Sequence, residues 1–501
     1  MLTRRHVALQ SSEVACGGRE TGLFGLRGAG HVPRGLNDVL SAMFGGAGGG
    51  GAATEESKAA LRDMPAPDTN AAPSWKDLAA TAGASSEGGE QRRASARAAE
   101  AQSRATVRLF DAPDGHEPEV TLYRDSASWC PYCEKVWLML EEKRIPYRTE
   151  FVPMSSYGRK PEAFLRIQPS GGIPVAEIRG RVISESNDIL SELERLYPDR
   201  PMIPKENKEA VTPMLRLERK LFGAWFQFLV TGFGESSFMS AADETNEALA
   251  QFPGPYFLGK DVTLVDFMFA PFLERMAASM PYYKGIVFRN NPRWGRITEW
   301  FEAMETRPSF RGIQSDYYTH VHDLPPQVGG CQFSGNHQKY TDEIDGKHLS
   351  WRLPLSNDGG VEPVRQADRD QAKARKGAAA ALIENHEKIV RFATRALGEP
   401  GARVSAPFSD PYRQPEDLAT PAVDTALRLT THFLLEESRD EYGGIDAKDA
   451  KDKVGQASLP GRPTAECLKY LRDRIGVPRD VSFAEARQLR AHLNVVIDAL
   501  D

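Results

Sequence analysis

Val120-Thr121-Leu122-Tyr123, the loop Arg124–Trp129 and then Cys130-Pro131-Tyr132-Cys133 form the stretch on which the reading of this chain turns. The first four residues are β-branched, aliphatic and aromatic, the composition of a strand. After the loop, Val136, Trp137 and Leu140 recur at helical spacing to about Lys143. Cys130 therefore stands where a helix begins, and there unpaired backbone N–H groups and the macrodipole favour negative charge. Pro131 suits the first helical position, because it has no N–H to leave unpaired. A thiolate is the attacking species in thiol chemistry, so this placement points to Cys130 as a reactive thiolate. Cys133, one turn further in, is placed to donate a hydrogen bond to Cys130 or to attack a mixed disulfide. The CxxC spacing alone also describes half of a zinc site, but the nearest second pair, Cys331 with His337, lies roughly two hundred residues away. A buried structural pair of thiols is the other reading of the same spacing.

Working outward, Ile145-Pro146-Tyr147 to Phe151 reads as a second strand, and Pro161 opens a short helix through Ile167. Pro174–Ile178 and Arg181-Val182-Ile183 read as strands joined by a turn at Gly180. Ser186 then starts a helix with Ile189, Leu190, Leu193 and Leu196 on one face. The order β-α-β-α-β-β-α over 118–197 is that of a thioredoxin-like α/β domain. Two motifs at its strand ends add chemistry. In Gly172-Ile173-Pro174-Val175 a proline opens a strand, where it is tolerated. In such a sheet this proline is commonly cis, which opens the Ile173 N–H and C=O to a ligand beside the cysteine; an ordinary trans proline in a turn is the alternative. In Ser184-Glu185-Ser186-Asn187 the loop before a helix offers free N–H donors. Glu185 suits an α-ammonium and Ser186 an α-carboxylate, which together describe the γ-glutamyl end of glutathione. Ser186 is also a good helix N-cap, and the two roles are compatible.

The remainder sets the frame. A chain of 501 residues with 41% hydrophobic content suggests two to four domains with sizeable cores. A net charge of −6 argues against a nucleic-acid binder. The absence of a run of eighteen apolar residues argues against a membrane span. Five cysteines are too few for a disulfide scaffold. Residues 1–36 carry Arg4, Arg5, Arg19, Arg27 and Arg34 against only Glu13 and Glu20, the signature of an organellar transit peptide. Chloroplast is the expected address, with mitochondrion or cytoplasm as alternatives. Residues 37–105 are low in complexity and are expected to be disordered, with nothing requiring the turn of helix that Trp75 to Ala80 would allow. Residues 1–105 thus read as a transit peptide and disordered extension.

Prolines at 198, 201 and 204 mark a linker, after which 205–318 is helical, with Leu217, Leu221, Phe222, Trp225, Phe228 and Leu229 on one long amphipathic helix. Residues 320–362 read as a loop-rich linker. Residues 363–501 read as a separate all-α module, in which Ser482 and Glu485 form a capping box ahead of the last helix. His386, His432 and His492 are too far apart to argue a metal site, and none is expected. Arg472, Arg474, Arg479, Arg487 and Arg490 read either as a solvated face or as a basic patch that recruits a partner.

Over about 118–315 the chain resembles the glutathione transferase superfamily, cysteine-type branch, near the omega and lambda classes. Cys130-Pro131-Tyr132-Cys133, Ile173-Pro174, Glu185-Ser186 and Thr263-Leu264-Val265-Asp266 carry the likeness. The resemblance implies glutathione as cosubstrate, Cys130 and Cys133 as catalytic residues, and Pro131, Tyr132, Lys160, Ile173, Pro174, Glu185 and Ser186 as its binding residues. Lys160 matches a lysine that meets the glycyl carboxylate. Thr263 with Asp266 matches a buried capping box that drives folding of the helical domain. The helical domain would supply the second-substrate pocket, with Trp225 and Phe226 as either pocket or core residues.

Other branches use a hydroxyl to hold the glutathione thiolate for conjugation. A cysteine in that place implies thiol transfer, deglutathionylation or dehydroascorbate reduction, on small-molecule or protein disulfides. The alternatives are a protein that carries a glutathione-linked ligand or an iron–sulfur cluster, and conventional conjugation to electrophiles. A homodimer is the family's frequent state. As a whole the chain resembles the iota class of photosynthetic organisms, whose C-terminal signature is matched by Tyr470 to Asp480 and Ala486 to Asn494.

Overall fold

The computed structural model describes residues 50–63, 66–83, 96–406, 408–436, 445 and 447–501. The expected transit segment at 1–36 lies outside them. Among the described residues α1 (Gly50–Asp63) and α2 (Trp75–Ala82) precede the sheet. Ser74 and Asp77 form a capping box at the start of α2. Trp75 donates its indole N–H to Asp424 at 2.8 Å and stacks on His386 with ring centroids 4.6 Å apart. Ser57 bonds Glu466 at 3.0 Å, and Leu78 is buried. The expectation of disorder across 37–105 therefore fails for the described parts of that stretch. Its few apolar residues are too sparse to form a core alone; those at 61–75 dock on a surface supplied by the far end of the chain, and Ala101 joins the core of the sheet domain.

The sheet domain follows with β1 (Val107–Arg108), β2 (Val120–Asp125), α3 (Pro131–Lys143), β3 (Tyr147–Val152), α4 (Glu162–Ile167), β4 (Val175–Ile178), β5 (Arg181–Ser184) and α5 (Ser186–Leu196). Strand order is β1-β3-β2-β4-β5, with β2 parallel to β3 and the other pairs antiparallel. The expected β-α-β-α-β-β-α order is present, and β1 adds an unexpected edge. Val120 and Leu122 alternate into the core from β2. The register pairs Tyr123 with Val175, so the end of β2 that leads to Cys130 lies beside the start of β4.

The helical domain comprises α6 (Lys208–Thr231), α7 (Glu235–Ala248), α8 (Leu264–Ser279), α9 (Gly295–Glu305), α10 (Pro308–Arg311), α11 (Tyr317–Val328) and α12 (Gln338–Ile344). Every residue of α8 is buried. Its start is the expected box: the Asp266 carboxylate accepts from the Thr263 N–H at 2.8 Å, the Thr263 hydroxyl at 2.9 Å, the Phe257 N–H at 3.2 Å and the Trp300 indole at 2.9 Å. The stretch 320–362 is not a plain linker. Val321, Leu324, Ile344 and Trp351 belong to the same core as the sheet and α8. Tyr317, Tyr318, Val321 and Leu324 already have helical spacing, and the two prolines fall only near the end of α11.

The C-terminal module is α13 (Gln371–Ala393), α14 (Thr420–Leu435), α15 (Ala447–Gln456), α16 (Gly461–Arg472) and α17 (Phe483–Leu500), around a second core that also takes in Ala72. Among the described residues no helix is long and apolar enough to cross a membrane.

Candidate active site

Cys130 is the N-cap of α3 with φ −72° and ψ 117°, Pro131 opens the helix, and the Glu134 N–H bonds the Cys130 carbonyl at 3.0 Å. The loop before it is tied at several points. Asp125 Oδ2 accepts from the Trp129 N–H at 2.5 Å. Arg124, wholly buried and with its guanidinium 3.9 Å from the Trp137 ring centroid, donates to the Ser128 hydroxyl at 2.9 Å. Ser128 itself takes φ 65°, so the chain turns sharply there. From α8, Arg275 donates to the Trp129 carbonyl at 2.5 Å and to Glu134 Oε2 at 3.1 Å. The Trp129 indole donates to the Val477 carbonyl at 3.1 Å. A nucleophile at the start of a helix gains its precision from restraints of this kind.

Both cysteines are free and buried, with Cys130 7% and Cys133 1% exposed. Burial first, and then the neighbouring Cys130 sulfur, push the Cys133 thiol well above its ordinary value. At neutral pH Cys133 is an S–H beside Cys130. Lys135 is a further titratable group of α3 near the site. Burial pushes it down to about 8, and its ammonium lies 5.5 Å from the Tyr132 ring centroid and 4.8 Å from that of Phe272.

Tyr132 and Phe272 continue into an aromatic cluster. Phe222 meets Phe272 edge-on at 4.8 Å and stacks on Phe226 at 5.8 Å, with the Arg219 guanidinium 4.7 Å from the Phe222 ring centroid. Phe226 is half-buried on this cluster. Trp225 packs on the inner side of Phe222 with ring centroids 5.9 Å apart, is 1% exposed, bonds its indole to the Ser279 hydroxyl at 3.0 Å, and is a core residue.

The Ile173–Pro174 peptide is cis and leads directly into β4. Glu185 is exposed, with φ 73° and ψ 118°, a conformation that costs a non-glycine residue about 1–3 kcal/mol and that commonly marks a site where the side chain is needed. Ser186 follows as the buried first residue of α5. Lys160 donates to the Pro153 carbonyl at 2.8 Å. Burial lowers its pKa, while the charges of Cys133, Cys130 and Asp125 act in the opposite sense. Asp125, Arg275 and Val477 were not legible as part of the site. Arg275 and Val477 reach Trp129 only through tertiary packing, and no spacing in the chain records that. Among the described residues no three His, Cys, Asp or Glu side chains come together as a metal-binding group.

The glutathione S-transferase N-terminal domain model matches residues 129–196, and the C-terminal domain model matches 217–303. Glutathione S-transferase DHAR2 of Arabidopsis thaliana is 31% identical over 159 residues, 31% of this chain and 70% of its own. Glutathione S-transferase DHAR3, chloroplastic, of the same plant is 28% identical over 204 residues, 40% of this chain and 75% of its own. Pyrimidodiazepine synthase of Drosophila melanogaster is 30% identical over 191 residues, 37% of this chain and 76% of its own. Both domain-model matches end before α11.

Proposed function

The chain belongs to the glutathione S-transferase family, cysteine-type branch, and from that premise we propose that Cys130 carries glutathione between thiols through a mixed disulfide. Glutathione is the cosubstrate. The Cys130 thiolate attacks the glutathionyl sulfur of a mixed disulfide, the acceptor sulfur leaves as its thiolate and takes a proton, and a Cys130–glutathione disulfide remains. A second glutathione thiolate attacks that disulfide, glutathione disulfide forms, and the Cys130 thiolate is restored. The observation that carries this reading is the pair of thiols on α3. Cys130 stands at the N-cap position of the helix, and burial keeps Cys133 a thiol, which makes it a hydrogen-bond donor rather than a second nucleophile.

The tripeptide is placed by groups at the strand ends. The Ile173 backbone beside Pro174 pairs with its cysteinyl unit. Glu185 and Ser186 take the γ-glutamyl ammonium and carboxylate, and Lys160 takes the glycyl carboxylate. Pro131 and Tyr132 border the sulfur, and Tyr132 joins the aromatic cluster of Phe222, Phe226 and Phe272, where the acceptor would lie. Glutathionylated small molecules or proteins are the substrates of this chemistry, and dehydroascorbate reduction by two glutathiones is a second reaction open to the same thiolate. A chloroplast address is supported by the arginine-rich, acid-poor composition of 1–36 and by a relative whose name carries that compartment.

Mass spectrometry after incubation with oxidised glutathione tests the mechanism. One glutathionyl adduct on Cys130 is expected. Cys130→Ser should abolish reduction of a glutathione mixed disulfide, and Cys133→Ser should keep most of it. A wild-type rate in Cys130→Ser would overturn the reading.

A further inference from the structure

We infer that the C-terminal helical module is a working wall of the glutathione site: it holds both loops between which glutathione is proposed to bind, and Tyr412, Gly476 and Val477 are positioning residues for the reaction. This rests on the proposed placement of glutathione.

On the thiol side the contact is Gly476-Val477-Pro478. The Val477 carbonyl accepts from the Trp129 indole at 3.1 Å and from the Ser315 hydroxyl, and the Val477 N–H donates to the Thr319 hydroxyl at 3.3 Å. Pro478 accepts from Ser103 at 2.6 Å, and Ser103 in turn accepts from Arg124, which holds Ser128. Gly476 lies flat against the indole: a Cβ there would stand 2.7 Å from Trp129 Cζ2, so only glycine allows this approach. The Arg479 guanidinium lies 5.2 Å from the same ring centroid.

On the carboxylate side the module grips the loop that ends at Lys160. The Ala406 N–H bonds the Ser156 carbonyl at 3.0 Å, the Ser409 hydroxyl bonds the Tyr157 carbonyl at 3.1 Å, and the Tyr412 hydroxyl accepts from the Arg159 N–H at 3.0 Å. Tyr157 then meets Trp129 edge-on at 5.3 Å, which joins the two gripped loops.

Arg490 and Arg479 of the module lock the gripping segment. Arg490 donates to Asp316 at 2.5 Å and to the Ile475 carbonyl at 2.8 Å. Arg479 donates to Asp480 at 2.6 Å and to the Arg474 carbonyl at 2.8 Å. Arg474 lies 3.5 Å from the Tyr470 ring centroid, Arg472 bonds Asn494 at 2.7 Å, and Arg487 bonds the Ser356 carbonyl. Of the group read from sequence as a solvated face or a recruiting patch, Arg490 and Arg479 brace this segment, while Arg487 pairs at the surface.

Kinetics on the full chain separate positioning from mere support. Tyr412→Phe removes one hydroxyl that holds the Lys160 loop; the KM for glutathione should rise about threefold to tenfold, the effect of one hydrogen bond, with kcat within twofold. Trp129→Phe keeps a ring but loses the bond to Val477. Its Cys130 should alkylate with iodoacetamide about tenfold more slowly and with a shifted pH profile, as a displaced nucleophile would. Leu427→Ala, in the buried core of α14, weakens the module without touching either loop and should leave KM, kcat and the alkylation profile unchanged. The inference is overturned if Tyr412→Phe and Trp129→Phe behave as wild type, or if Leu427→Ala shifts the same quantities equally. Alkylation needs no glutathione, so it reports on positioning even if Cys130→Ser were to retain thiol transfer and the proposed function fell.

Discussion

The sheet domain and the C-terminal module meet at Trp129, and each brings what the other lacks. The sheet domain places its reactive and polar groups at strand ends: Cys130 after β2, Pro174 before β4, and Glu185 and Ser186 after β5. Beside them it tolerates awkward features, namely a buried lysine against aromatic rings and a left-handed glutamate. The module contributes carbonyls, an N–H, two hydroxyls and a glycine, and its Arg490 is paired inward with Asp316. One region holds the reactive groups under strain, and the other supplies restraint. A similar contrast separates two capping boxes, that of α8 in the helical domain, sealed inside the protein, and that of α17 in the module, at the surface.

The largest effect is expected at the sealed box. Asp266→Ala removes an acceptor that four donors share in a fully buried site, and the Thr263 and Phe257 N–H groups and the Trp300 indole lose their partner. Buried donors left unsatisfied in this way cost about 3–5 kcal/mol together. Urea unfolding should show a midpoint lowered accordingly. A loss under about 1 kcal/mol would mean that the box is not what holds α8, and the contrast between the two boxes would collapse.

Lys135 comes next and sharpens the claim that the sheet side carries strain. Burial lowers its pKa to about 8 from an ordinary 10.5. Between those values the unfolded chain binds more protons than the folded one, so stability should rise with pH across that window and be lowest below it. The full span is worth about 3 kcal/mol. Lys135→Met should be more stable than wild type by about that amount at pH 7, and the advantage should vanish above pH 10.5. Urea midpoints of both proteins at pH 7, 9 and 10.5 measure it, and parallel curves would show that the lysine carries no such cost.

These two residues also show what the sequence disclosed and why. The strand and helix order around Cys130 was legible because each element carries its own periodicity. The Ser482 box was legible because capping is a matter of three residues' spacing, and the Thr263 box through the family resemblance that it helps to carry. Lys135 was not, because α3 reads as amphipathic, yet Glu134, Lys135, Glu141 and Lys143 are all buried under neighbouring elements. Glu141 meets Arg108 of the unforeseen two-residue strand β1 at 2.7 Å, and Lys143 meets Glu194 at 2.8 Å. Helices α1 and α2 were hidden for a related reason: an Ala- and Gly-rich stretch reveals its burial only once the distant surface it covers is known. Partners distant in sequence, such as Arg275 and Val477 for Trp129, leave no local mark at all.

The smallest effect belongs to the module's own box. The Ser482 N–H donates to Glu485 Oε2 at 2.8 Å, and the Glu485 N–H reaches the Ser482 hydroxyl at 3.5 Å, both at the surface. Water can replace either bond, so Ser482→Ala should cost only about 1 kcal/mol. Because Gly476 and Val477 lie just upstream of α17, the variant also asks how local the module's grip is. If the grip is set by Arg490 from within α17, fraying of its first turn should leave the KM for glutathione and the alkylation rate of Cys130 at wild-type values. A loss of about 1 kcal/mol together with changed kinetics would place the brace at the capping turn instead, and would redraw the boundary between the region that restrains and the region that reacts.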